Sequence, residues 1–162
     1  EGIEVGNREV NFIRIRSWLT TCILVCEDLA RIDPVGRFVR AVAPDLVVAL
    51  LMDGPQLKHR WPAYHATVLT DDPGCSVLTL TCEGMVKLSQ PRDRLGKEEM
   101  PIVAMWRDAV TGLTEIPLPK GKQGIVLTLY EHFELDTEAV TADGRAHRGQ
   151  LGMPVFGGVH YV

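Results

Sequence analysis

The stretch from Thr20 to Ala30 constrains the fold most, because a short apolar run stops there at a cysteine. The apolar residues 23–25 lead into Cys26, and the carboxylates of Glu27 and Asp28 follow at once. An apolar run of this length, ending in charge, is typical of a buried strand rather than a helix. We therefore predict a strand that stops at Val25 or Cys26 and leads into a helix, with Asp28 and Asp33 as its candidate N-caps.

A cysteine at the corner between a strand and a helix has the geometry of a nucleophile elbow. The thiol of Cys26 would project from the turn, and the backbone N–H of Glu27 would face a developing oxyanion. The carboxylates beside the thiol disfavour the thiolate, so a base or a cation must come from elsewhere in the fold. The same residues also fit a small buried cysteine with a purely structural role, which is the role of most free cysteines.

The segment Val25-Cys26-Glu27-Asp28-Leu29 resembles the Cys-x-Asp signature of the nitrilase (carbon–nitrogen hydrolase) superfamily. The order of predicted elements is also similar, from about Phe12 to about Leu129: an arginine-bearing helix, a strand, a helix led by tryptophan, another strand and a β-rich segment. The resemblance implies an α/β (α+β) fold, the nitrilase-like α-β-β-α sandwich. It also implies a hydrolase that needs no cofactor, in which Cys26 attacks an amide or nitrile carbon of a small molecule and forms a thioester-type intermediate.

The family's catalytic cysteine works with a glutamate and a lysine that both lie upstream of it, and this chain departs from that pattern. Its first lysine is Lys58, and Glu1, Glu4 and Glu9 lie too close to the corner to serve as the family's base. We therefore expect the C-terminal half of a nitrilase-like domain, incomplete at its N-terminal side and completed by an upstream segment of the same polypeptide. The alternative is a catalytically inactive nitrilase-derived module for assembly within a larger protein, for example a defence reverse transcriptase.

Other candidate pocket residues follow the predicted strands. Met52 and Asp53 come after an apolar run at 46–51, Glu83 comes after a run at 76–81, and Asp28 follows the cysteine. In a sandwich of this kind these strand ends lie beside the elbow. The sequence Asp53-Gly54-Pro55 also fits a plain turn, so a structural role for Asp53 stays open.

The 162 residues, 46% of them hydrophobic, indicate one globular domain. We predict a loop at 1–9, an α/β core at 10–133, and a tail at 134–162 whose apolar residues pack on a neighbouring subunit of a homo-oligomer. The net charge of −4 gives no basic field for nucleic acid, and no apolar run is long enough to span a membrane. The four cysteines form no C-x-x-C pair, so we expect reduced thiols, no metal site and a cytoplasmic protein.

Overall fold

The computed structural model describes residues 9–89, 100–133 and 152–162. Within these ranges the fold is α+β, with a mixed six-stranded sheet, a separate two-stranded sheet and three α-helices. The elements are β1 (Phe12–Arg16), β2 (Leu19–Val25), α1 (Arg37–Val42), β3 (Leu46–Leu50), α2 (Trp61–Asp71), β4 (Ser76–Leu80), α3 (Glu83–Ser89), β5 (Ile102–Asp108), β6 (Gly112–Pro117), β7 (Ile125–Phe133) and β8 (Gly152–Tyr161).

The strands of the large sheet follow chain order from β1 to β6. Its central strands β2, β3 and β4 run parallel, and the outer pairs are antiparallel. Val25, Leu50 and Leu80, the last residues of the three parallel strands, lie opposite one another in register. The chain therefore leaves all three strands at the same edge of the sheet, which is where open sheets with parallel strands usually bind ligands.

One face of the sheet packs against the helices. Alternate residues of the parallel strands, such as Cys22, Val47 and Val77, are fully buried there against α1 and α2. Helix α2 begins at Trp61 with Pro62 in its first turn, where a missing N–H costs nothing. β3 is thus a central strand of the sheet, covered by helices on this face.

The other face is covered in part by the hairpin of β7 and β8. Leu19, Trp106 and Ile116 are buried under it, and Leu127 and Phe156 pack on this second cluster. The layers are thus helices, a large sheet and a small sheet.

The C-terminal segment differs from the predicted tail. Residues 152–161 form β8, which pairs antiparallel with β7 and buries Val155 within the chain rather than against a neighbour. The Ser76 hydroxyl donates to the Pro154 carbonyl at 2.6 Å and joins this strand to the large sheet. β8 is difficult to predict from the sequence, because its glycines, among them Gly157 and Gly158, are typical of loops. Residues 134–151 lie outside the described residues, and so does the predicted loop at 1–9 except for Glu9.

Two smaller predictions are corrected. No side-chain cap hydrogen bond precedes the helical turns after β2, so neither Asp28 nor Asp33 is an N-cap; Asp33 instead lies 3.7 Å from Arg37. Residues 83–89, where no helix was expected, form α3.

Asp108 joins the two sheets. Its carboxylate accepts hydrogen bonds from the Trp106 indole, from the amide and hydroxyl of Thr111, from the Val110 amide and, at 3.2 Å, from the Phe156 amide on β8. Burial alone would raise the pKa of Asp108, but these donors outweigh it and the pKa is lowered. The ionised carboxylate therefore stabilises the folded state.

We predict that Asp108→Asn lowers the free energy of unfolding by roughly 2–4 kcal/mol, because an amide NH₂ faces donors that need an acceptor. Urea unfolding at pH 7 measures the loss, and the exposed Asp71→Asn is the matched control, expected within about 0.5 kcal/mol of wild type. Since the folded pKa is lowered, the wild-type advantage is complete above the ordinary carboxyl pKa of 3.8 and shrinks as pH falls through the folded value. If the stability difference between the wild type and Asp108→Asn stays the same in acid, Asp108 does not stabilise the fold as an ionised carboxylate.

Candidate functional site

The corner after β2 has a strained backbone. Val25 is extended, with φ of −116°, whereas Cys26 has φ of +51° and begins a 3₁₀ turn over Cys26–Leu29. The left-handed region costs an L-residue roughly 1–2 kcal/mol. Among the described non-glycine residues, Ala43 is the other one with positive φ, and it ends α1 in the ordinary way. The reversal at Cys26 turns its side chain out of the strand's alternation.

Cys26 is a free, partly exposed thiol. In a 3₁₀ turn each N–H bonds to the carbonyl three residues earlier, so in the turn that starts after Val25 the Glu27 amide has no acceptor. The buried Leu29 anchors this turn in the helix-side core. The Glu27 carboxylate is exposed and lies 3.2 Å from the Arg31 guanidinium. The corner therefore offers a partly exposed thiol beside a Glu27 amide that has no acceptor within the turn, and the Glu27 carboxylate forms an ion pair with Arg31.

The end of β3 is braced by Asp53. One carboxylate oxygen accepts hydrogen bonds at 2.8 Å from Arg60 and from the Gly54 amide, and the other accepts from the Trp61 indole at 2.9 Å. The Asp53 carbonyl accepts from the Thr81 hydroxyl at 2.7 Å. Both carboxylate oxygens thus hold the loop that joins β3 to α2, as the turn interpretation of Asp53 requires. Met52 beside it is 75% exposed.

The end of β4 leads into a cavity of about 570 Å³ between the two sheets. Glu83, at the start of α3, lines it, and the Glu83 carboxylate also lies 2.8 Å from the Lys87 ammonium. The exposed thiol of Cys82 and the side chain of Lys122 line the cavity as well. Cys26, Asp28, Met52 and Asp53 are not among the lining residues, so of the predicted site residues only Glu83 lines this cavity.

Sequence reasoning missed Cys82 and Lys122. Cys82 directly follows a predicted core strand, as Cys26 does, and that position was the available signal. Lys122 lies in a turn far along the chain and approaches β4 only because the β7–β8 hairpin folds over the sheet. No local pattern indicates that contact.

The two remaining cysteines are structural. Burial raises the pKa of the Cys22 thiol to about 11. Burial, helped by the nearby charge of Asp45, raises the pKa of Cys75 to about 12. Both thiols are therefore protonated and shielded at neutral pH.

Comparison of the chain with protein-family models, curated proteins and solved structures finds no match. Membership of the nitrilase superfamily therefore stays a prediction from the Cys-x-Asp motif and the element order. In the part of the chain that the structure describes, no three His, Cys, Asp or Glu side chains are grouped to hold a metal ion. None of its helices has the length and apolarity to cross a membrane.

We predict that the native protein divides its thiols into two classes. Iodoacetamide at pH 7.5 should alkylate Cys26 and Cys82 at least roughly tenfold faster than Cys22 and Cys75, because the reagent reaches exposed thiols, whereas Cys22 and Cys75 are buried and their raised pKa keeps them protonated. Peptide mass spectrometry after timed quenching measures the four rates, and the urea-unfolded chain, where all four should react alike, is the control. If Cys22 in the folded protein is alkylated as fast as Cys26, the core between the large sheet and the helices is not formed.

Proposed function

We propose that this chain is the nucleophile-bearing part of a carbon–nitrogen hydrolase that acts on a small amide or nitrile. The observation that carries the proposal is the left-handed backbone of Cys26 at the end of a parallel strand. Strain at a non-glycine residue is kept only where the surrounding structure enforces it, and it is concentrated at functional sites. A strand that ends in a strained nucleophile before a helical turn is the arrangement of nucleophile elbows.

In the proposed reaction with an amide, the Cys26 sulfur forms a bond to the carbonyl carbon and the C=O π pair moves onto oxygen. The Glu27 amide, which has no acceptor within the turn, donates a hydrogen bond to that oxyanion. Collapse breaks the C–N bond, the amine leaves with a proton, and water then hydrolyses the thioester. The base and the acid for these proton transfers are the glutamate and lysine expected from an upstream segment.

The layer order supports a nitrilase-like sandwich that is incomplete. The β7–β8 hairpin covers only part of the large sheet, and beside it four apolar side chains of one face are 42–56% exposed. These side chains, here called the open face, belong to Ile13, Ile23, Val25 and Leu50. Exposed apolar groups gathered on one face mark an interaction surface. We propose that the upstream segment packs on the open face and extends the small sheet, completing the α-β-β-α arrangement.

The second candidate is an inactive assembly module, which the exposed apolar residues on the helices favour. Phe38 and Val42 on α1 and Tyr64 on α2 are 48–68% exposed. With the open face, they give the domain apolar surface on both sides, suited to homo-oligomers or to contacts within a larger protein. We propose a cytoplasmic location for either candidate, in keeping with its four free thiols.

We predict that Cys26→Ala in the full-length protein removes hydrolysis of any true amide or nitrile substrate by on the order of 10⁴-fold or more, because the covalent step is lost. Ammonia release from a panel of small amides and nitriles measures turnover, with intact-mass detection of the acyl adduct. The control is Ile32→Ala, an exposed apolar residue in the next turn that should leave turnover unchanged.

If Cys26→Ala retains the turnover of the wild type, Cys26 is not the nucleophile. If the wild type releases no ammonia from the panel, and Cys26 is alkylated no faster than Cys82, the assembly module is the better account. Sedimentation of the wild type against an Ile23→Ser variant of the open face then tests assembly directly.

A further inference from the structure

We propose that the cavity between the two sheets binds a small amphiphilic carboxylate, with its apolar body between β4 and β7 and its anionic head at Lys122. The walls come from Leu78 and Leu80 on β4, Ala104 on β5, and Ile125 and Leu127 on β7. The volume of about 570 Å³ lies within the range of small-molecule sites. The proposal does not depend on hydrolysis at Cys26.

The walls favour an apolar occupant. Leu80 on one side, and Ile125 and Leu127 on the other, pack only partly into the second core cluster and stay half-buried. An alkyl chain between them would remove this apolar surface from water, at roughly 25 cal/mol for each Å² buried. Polar side chains, those of Thr81, Glu83 and Gln123 among them, also line the cavity, so one end of the occupant should be polar.

The charge at the cavity favours an anionic head. Of the charged residues that line it, Glu83 already has a cationic partner, since its carboxylate lies 2.8 Å from the Lys87 ammonium. The Lys122 ammonium donates to the Tyr161 carbonyl at 3.2 Å, which is a neutral acceptor. An ammonium has three donors, and among the described residues Tyr161 is the acceptor that Lys122 has, so its charge can also meet a ligand. A carboxylate at Lys122 would form a charge-assisted hydrogen bond, which is stronger than a hydrogen bond between neutral groups.

The test uses octanoate as the probe and 1-octanol as its uncharged counterpart, each titrated calorimetrically into the full chain. Octanoate should bind saturably and roughly tenfold more tightly than octanol, the difference a charge-assisted hydrogen bond makes. Lys122→Gln should remove this preference and leave octanol binding unchanged. Lys58→Gln removes the same charge at an exposed position that does not line the cavity. This variant should keep the preference for octanoate.

A second pair of variants tests the location. Leu127→Trp puts a larger side chain into the cavity wall and should weaken both probes at least roughly tenfold. Val126→Trp is the matched control, because successive strand residues point to opposite faces and Val126 is 51% exposed. Thermal unfolding of each variant confirms that it is folded.

The proposal is overturned if octanoate does not bind, if octanoate and octanol bind equally well, or if an octanoate preference survives Lys122→Gln. Binding that Leu127→Trp leaves unchanged would place the probe elsewhere and would also overturn it.

Discussion

The in-register parallel pairing of β2, β3 and β4 is the constraint on which the rest of the structure depends. Because Val25, Leu50 and Leu80 lie side by side, the three chain reversals that follow them occur at one edge of the sheet. The strands are about 4.8 Å apart, so the corners at Cys26 and Cys82 begin within roughly 10 Å of each other. A slip of one residue in this register would move every core side chain to the other face.

Each of the three corners is held in a different way. The first is anchored by Leu29 in the core, the second by the hydrogen bonds of Asp53, and the third by the start of α3. Both oxygens of the Asp53 carboxylate accept hydrogen bonds within its own loop. The thiol of Cys26, by contrast, is partly exposed on a strained backbone. This contrast is why we propose Cys26, rather than the carboxylates near it, as the nucleophile.

The strands and helices that carry the core were predictable, because β2, β3 and α2 have clear apolar runs, periodicity and boundary residues. The corner was predictable because an apolar strand ended at Cys26 and charge followed. β8 was missed because its pairing with β7 is non-local and its glycines resemble a loop. The cavity was missed for the same reason, since Leu80 and Lys122 are brought together only by the hairpin folding over the sheet.

The central claim is that the fold forces the backbone of Cys26 into the left-handed region and so presents its thiol. The most direct test compares urea unfolding of Cys26→Gly and Cys26→Ala, since glycine adopts positive φ without the cost that alanine bears. The account predicts that Cys26→Gly is the more stable by about 1 kcal/mol. Ala30→Gly, at a right-handed position of the same corner, should be destabilised by about 0.5–1 kcal/mol. A Cys26→Gly variant no more stable than Cys26→Ala would contradict the account.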